Sequence, residues 1–248
     1  MKIERQTEND LIISYKLLRK LIGTIGVFLP IILVAGMIYF DNKNIVQDSI
    51  SDYYGTPMRD VFVGFLFALG FFLFSYKGFK DKEKGFFYND QTYAVAGGIF
   101  ALGVALFPTT SENGIIRGIH LTSALLLFTV FTIFCMVIFR RGVAFSAQTS
   151  MKKVRNKFYF WCGIFIILFV VAAGLSFVFM NEETRRSTDI IFYCETFALW
   201  VFGFSWLIKG EAALTDKQKN KTLIKKNIKY SILKLKDVLS VFFIFEIL

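Results

Sequence analysis

The sequence predicts an all-α integral membrane protein: a bundle of six transmembrane helices with N- and C-termini cytoplasmic, followed by a basic amphipathic helix. Three observations carry this expectation. Of the 248 residues, 55% are hydrophobic. They gather into six apolar runs at 21–40, 61–76, 92–107, 118–139, 158–180 and 190–208, most of them close to the ~20 residues that cross a ~30 Å hydrocarbon layer. The basic residues are sorted between those runs. The N-terminal arm, second loop, fourth loop and tail hold 5, 4, 6 and 9 Lys/Arg, whereas the first, third and fifth loops hold 2, 1 and 2. With 24 of 29 on one side, the positive-inside bias orients the chain. Period-two alternation is absent, and an open sheet would leave backbone groups unpaired in lipid, so the runs are read as helices.

Taken in order, residues 1–20 form a cytoplasmic arm. Thr7 with Asp10 resembles a capping box, and Leu11, Tyr15, Leu18 and Ile22 follow at helical spacing. Lys16, Arg19 and Lys20 ahead of the first run resemble a secretory leader. That run is longer than the ~7–15 residues of a signal core, contains Pro30 and has no small-x-small exit before Asp41. It is expected to stay as the first span, kinked at Pro30. The second run carries Phe62, Phe65, Phe67, Phe71, Phe72 and Phe74 and is expected to face lipid in part, with Gly64 and Ala68 on its packing side. The second and third runs are short, so Arg59, Asp60, Tyr76 and Lys77 must extend them or snorkel.

The third run places Ala94, Gly98, Ala101 and Ala105 on one face, with Gly97 and Gly103 nearby. Small residues let helices approach closely in lipid, and this span is expected at the bundle centre. Cys135, Cys162 and Cys194 lie inside runs and read as apolar packers. In the tail, Ile224, Ile228, Ile232, Leu235, Leu239 and Phe242 recur at helical steps among lysines, the pattern of a helix lying in the cytoplasmic headgroup region. The domain division is therefore 1–20 arm, 21–210 bundle and 211–248 tail.

Charge and composition also exclude function classes. The net charge of +10 sits beside membrane spans, where topology and anionic headgroups explain it. The expected partners are membrane lipids, with no nucleic acid. One histidine and no Cys-x-x-Cys pair leave almost no zinc ligands, so neither a metal nor a cofactor is expected. The oligomeric state is not set by the sequence.

Ionisable residues inside spans are functional hypotheses because burying them is costly. His120 and Glu195 stand roughly 5–10 Å inside the same end of the bundle. The first outer loop adds Asp52, Arg59 and Asp60, with Gly55 and Pro57 favouring a turn that tucks Asp52 and its tyrosines over the bundle. Arg117 precedes His120 by one turn. The candidate polar pocket is thus Asp52, Arg59, Asp60, Arg117, His120 and Glu195. Four roles stay open: mutual satisfaction that fixes helix register, a pocket for a lipid headgroup or small molecule, acid–base catalysis, and a proton relay. Catalysis would use Glu195 or Asp52 as base and His120 as acid. Ser51 and Ser123 are isolated, with no Gly-x-Ser-x-Gly elbow, which weakens a nucleophile–base reading. A small-solute transporter would need a midplane charge path, whereas the inner halves of the runs are apolar.

Ile50-Ser51-Asp52 after the first run, His120 in the fourth and Cys194-Glu195 in the sixth resemble the FRAG1/DRAM/Sfk1 family of six-span membrane proteins. That family carries an Ile-Ser-Asp element, a fourth-helix histidine and a Glu-Trp in its last helix; here Thr196 follows Glu195. Segments 49–64 and 198–211 also look like uncharacterised bacterial membrane proteins related to that family, and the resemblance covers roughly residues 20–211. It implies a bacterial cytoplasmic (inner) membrane location and lipid-linked roles of the kind its animal and fungal members have, such as GPI-anchor remodelling, phospholipid retention and autophagy-linked membrane proteins. Seven-span ceramidase-like hydrolases gather several histidines around zinc, a site that a single histidine cannot build. The expected function is a multi-pass membrane protein that binds or organises lipid through its outer polar pocket, with a headgroup-directed membrane enzyme as the alternative.

Overall fold

A computed structural model describes residues 2–40, 44–78, 89–141 and 148–211, with side chains from residue 15 onward. The tail beyond Glu211 lies outside the described residues, and so does most of the second loop. All regular structure among the described residues is helical: α1 (Lys2–Phe40), a 3₁₀ segment (Ile50–Gly55), α2 (Arg59–Phe74), α3 (Asp90–Leu106), α4 (Gly114–Ile133) continued as a π-helix (Phe134–Ile138), α5 (Ser150–Phe179), α6 (Glu182–Ser187) and α7 (Ile190–Lys209). Each of the six apolar runs falls on a helix. Among the described residues, four helical stretches are long and apolar enough to cross a membrane: Tyr15–Phe40, Gly114–Ile138, Ser150–Phe179 and Ile190–Lys209. The composition and these stretches are those of an integral membrane protein.

The long helices form a closed ring in which each packs on its neighbours: α1 on α2, α2 on α3, α3 on α4, α4 on α5, α5 on α7, and α7 back on α1. The tightest seam is α1 against α7. A Cβ on Gly23 would stand 2.7 Å from Gly203 O, and one on Gly203 would stand 2.7 Å from Gly23 O. Only glycine permits that approach, and it lets Trp200 Nε1 donate to Val27 O at 3.0 Å. The α2–α3 seam repeats the device, since a Cβ on Gly98 would lie 2.9 Å from Gly70 O.

Four expectations are corrected. The helix is already formed at Lys2, so Thr7 and Asp10 lie within it rather than at its start; arm and first run are one continuous helix that includes Pro30. The small face of α3 does pack closely, but its main partners are α2 and α4, which makes it one stave of the ring rather than its centre. Gly64 faces outward with open space around it, and Phe62, Leu66, Leu69 and Leu73 form the buried side of α2. Bulk on that face fills the ring interior, whereas small residues are needed only where backbones touch. Tyr76, expected to extend the second run or snorkel, turns inward instead, stacking on Tyr15 with ring centroids 5.4 Å apart and meeting Trp206 at 5.0 Å.

At the end of the ring opposite the 3₁₀ segment, the π-helix widens α4, and Phe139 N bonds Phe134 O at 2.9 Å. Lys209 Nζ donates to Phe139 O at 3.0 Å, and Arg141 pairs with the buried Asp90 at 2.9 Å. Lys16 and Glu211 meet at 2.7 Å across the α1–α7 seam.

Candidate functional site

The site grows from the chain that leaves α1. Ser49 caps the 3₁₀ segment, its Oγ accepting from Ser51 N at 3.1 Å. Ile50 and Tyr53 then point down into the ring, and Tyr53 is fully buried. Its hydroxyl donates to Ile45 O at 2.8 Å, and burial pushes the phenol up to about 12. On a 3₁₀ turn residues three apart share a face, so Ile50 and Tyr53 go together into the core and Ser51 and Asp52 are left beside the helix ends.

Two ring helices hold this segment from opposite sides. Glu195, in the second turn of α7, accepts from Ser49 Oγ at 2.8 Å and from Ile50 N at 2.7 Å through the same oxygen, Oε2. His120, in the second turn of α4 and only 1% exposed, meets Ser51 Oγ through Nε2 at 2.9 Å. Its Nδ1 lies 2.5 Å from Phe107 O. A carbonyl only accepts, so Nδ1 carries the hydrogen; in the neutral ring Nε2 is then the acceptor and the Ser51 hydroxyl the donor. Glu195 and His120 do not bond each other, and the Ser49–Ser51 strip stands between them. Thr109 Oγ1 donates to Asp52 Oδ1 at 3.0 Å. Burial raises the Asp52 carboxyl above its ordinary value, and the Thr109 bond opposes that shift in part.

Beside these groups lies a cavity of about 360 Å³ between α4, α5 and α7. Its rim is polar and of both signs: Asp48, Asp52 and Glu195 face Arg117, Arg185 and Arg186. Its deeper wall is apolar, built by Leu121, Ala124, Leu125 and Phe128 of α4 and by Phe169, Val170 and Ala173 of α5. Arg186 reaches across from α6 to Asp48 at 3.2 Å and is shared with Glu182 at 2.8 Å. The Arg185 guanidinium sits 4.4 Å from the Phe177 ring centre.

Of the six residues expected in the pocket, Asp52, Arg117, His120 and Glu195 line this cavity. Arg59 and Asp60 do not. They open α2 on its exposed side, where Arg59 covers the Tyr54 ring at 4.6 Å and bonds its hydroxyl at 3.1 Å. Sequence reasoning passed over Ser49, Asp48, Thr109, Arg185 and Arg186, and it treated Ser51 as isolated because its histidine partner lies 69 positions away. The Ser49-x-Ser51 spacing ahead of the Gly55–Pro57 turn was the signal available for the serines. Among the described residues no three His, Cys, Asp or Glu side chains converge as a metal ion would require.

The arrangement offers an amphiphile a charged rim and an apolar slot, and it places a hydroxyl in hydrogen bond with an imidazole where the two meet. No protein-family model matches this chain, no curated protein is similar to it, and no solved structure resembles it.

Proposed function

We propose that this protein is a six-span membrane protein that binds a polar lipid, headgroup at the rim and acyl chain in the slot between α4 and α5. The two-part lining of the 360 Å³ cavity carries the reading: a soluble polar ligand has no use for the wall of Leu121, Leu125 and Phe128, and a purely apolar one has no use for the charged rim. The Arg117 side chain meets no ion-pair partner among the described residues, which suits a phosphate-bearing headgroup.

In this reading α2 and α3 cross the bilayer as well. With 16 and 17 residues they are roughly 24–26 Å long, and they pack between longer partners that snorkelling or local thinning can accommodate. The Lys/Arg sorting places both chain ends in the cytoplasm and the cavity at the non-cytoplasmic surface, with a bacterial inner membrane as the setting and membrane lipids as the partners. The resemblance carried by Ile50-Ser51-Asp52, His120 and Cys194-Glu195 implies a lipid-linked role of the same kind.

Native mass spectrometry of the detergent-solubilised chain tests the binding. Wild type retains a phospholipid, and Ala124→Trp, which fills the slot, lowers occupancy about tenfold, the effect of ~1.4 kcal/mol. Equal occupancy in both refutes the site. Labelling single cysteines at Lys82 and Lys152 with an impermeant reagent tests orientation; reaction from outside intact cells refutes it.

A further inference from the structure

We propose that Ser51 is a nucleophile, activated by His120, that takes the acyl group from a lipid ester held in the cavity. The inference rests on the lipid-binding reading and deepens it by naming a reaction. Its basis is the geometry of one chain of hydrogen bonds. Ser51 Oγ lies 2.9 Å from His120 Nε2, and Phe107 O fixes the ring by accepting from Nδ1 at 2.5 Å. A nucleophile, a base and a group that orients the base are therefore in line, the arrangement that activates a serine hydroxyl on unrelated folds.

Position favours an ester as the target. His120 is the seventh residue of α4, roughly 9 Å from the helix start at 1.5 Å per residue. At that level the cavity changes character, from the charged rim of Asp52 and Arg117 to the apolar wall that begins at Leu121. A glycerolipid has its ester carbonyls at the same boundary, between headgroup and chain. Seating the headgroup at the rim and the chain in the slot thus brings an ester carbonyl to the height of Ser51.

The balance of the reaction closes with water as the only co-reactant. Ser51 Oγ attacks the ester carbonyl carbon while its proton passes to His120 Nε2. The carbonyl–alkoxy bond then breaks, and the same proton goes from Nε2 to the departing alkoxide, leaving an acyl–serine ester and a lyso-lipid. Water attacks the acyl carbon, His120 takes one of its protons, and Ser51 leaves with that proton as the free hydroxyl, releasing a fatty acid. Arg117 and Arg185 are the cations on the cavity wall available to offset the charge that develops on the carbonyl oxygen.

The experiment is intact-protein mass spectrometry after exposure to a long-chain alkyl fluorophosphonate, which phosphonylates an activated serine. It is run in nanodiscs of dioleoyl-phosphatidylglycerol, with lipid retention measured on the same samples. The expected result is one adduct, mapped to Ser51, absent in Ser51→Ala and unchanged in Ser75→Ala, whose serine is exposed on the far end of α2. His120→Gln slows labelling about 100-fold or more, the contribution of a general base. Oleate release from the nanodiscs follows the same order. If wild type retains lipid yet forms no adduct, or forms it elsewhere, the nucleophile is refuted while the binding site stands. If wild type neither retains lipid nor reacts, both fall.

Discussion

Glu195 is the clearest place to perturb the site, because one of its oxygens takes two of the hydrogen bonds that join the start of the 3₁₀ segment to α7. Truncation to alanine strands two donors at once, the Ser49 hydroxyl at 2.8 Å and the Ile50 amide at 2.7 Å. A buried donor left without a partner costs about 1–3 kcal/mol, so Glu195→Ala is expected to lose about 2–5 kcal/mol, the upper end reduced where water from the cavity replaces the carboxylate. Glu195→Gln keeps a carbonyl oxygen for both donors and removes the charge, and it is expected to lose less than about 1.5 kcal/mol, the difference between a charge-assisted and a neutral bond. The assay is unfolding in mixed micelles by titrated dodecyl sulfate, followed by tryptophan fluorescence. Trypsin cleavage at Lys43 and Arg59, which flank the segment, gives a local readout. Cleavage there should rise in the alanine variant and stay near wild type in the glutamine variant. Equal destabilisation by the two substitutions would refute the account, because it would mean that charge rather than hydrogen bonding secures the segment.

Three further outcomes follow from other parts of the molecule. Gly203→Ala puts a methyl 2.7 Å from Gly23 O and 2.8 Å from Val27 Cγ2, so α1 and α7 must separate; the same unfolding titration should register about 1–3 kcal/mol, whereas Gly64→Ala, in open space, should cost nothing. Burial holds the folded-state Asp52 carboxyl above its ordinary carboxylate value. Its contribution is therefore full below that value and lost as pH rises through the raised one. Asp52→Asn, which keeps an acceptor for Thr109, should be more stable than wild type at neutral pH, the gap closing as the pH falls through the raised titration of Asp52 toward the ordinary carboxylate range. At the other end, Asp90→Ala removes the carboxylate 2.9 Å from the Arg141 guanidinium, which is only 16% exposed; thermal melts in detergent should show a larger loss of stability than Lys16→Ala, which acts at the exposed pair with Glu211.

What the sequence made legible, and what it did not, divides along a physical line. Apolar runs report the solvent around a helix, so all six fell on helices. Small residues report how near two backbones come, not how many neighbours a helix has, which is why α3 read as central and proved to be one stave of the ring. The Thr7–Asp10 pattern is a local start signal, yet helix propagation through it cost less than stopping, and α1 runs unbroken from Lys2. His120 and Glu195 were legible because an ionisable group inside an apolar run needs an explanation, and Asp52 because the Gly55–Pro57 turn folds its loop back over the bundle. Ser51 was not, since a serine gains meaning only from a partner that the fold brings from a distant stretch. Arg59 misled for the opposite reason: closeness along the chain put it beside Asp52, and the turn at Pro57 carried it to the other face.

The seam between α1 and α7 has a bearing on biogenesis. Translation delivers α7 after the other five ring helices, so until it emerges Gly23 of α1 lacks its partner Gly203 and the Ser49–Ile50 donors lack their carboxylate. Assembly of the barrel-like ring and completion of its polar mouth are thus a single late event. A ribosome stalled before residue 190 would leave a five-helix intermediate that lacks Glu195.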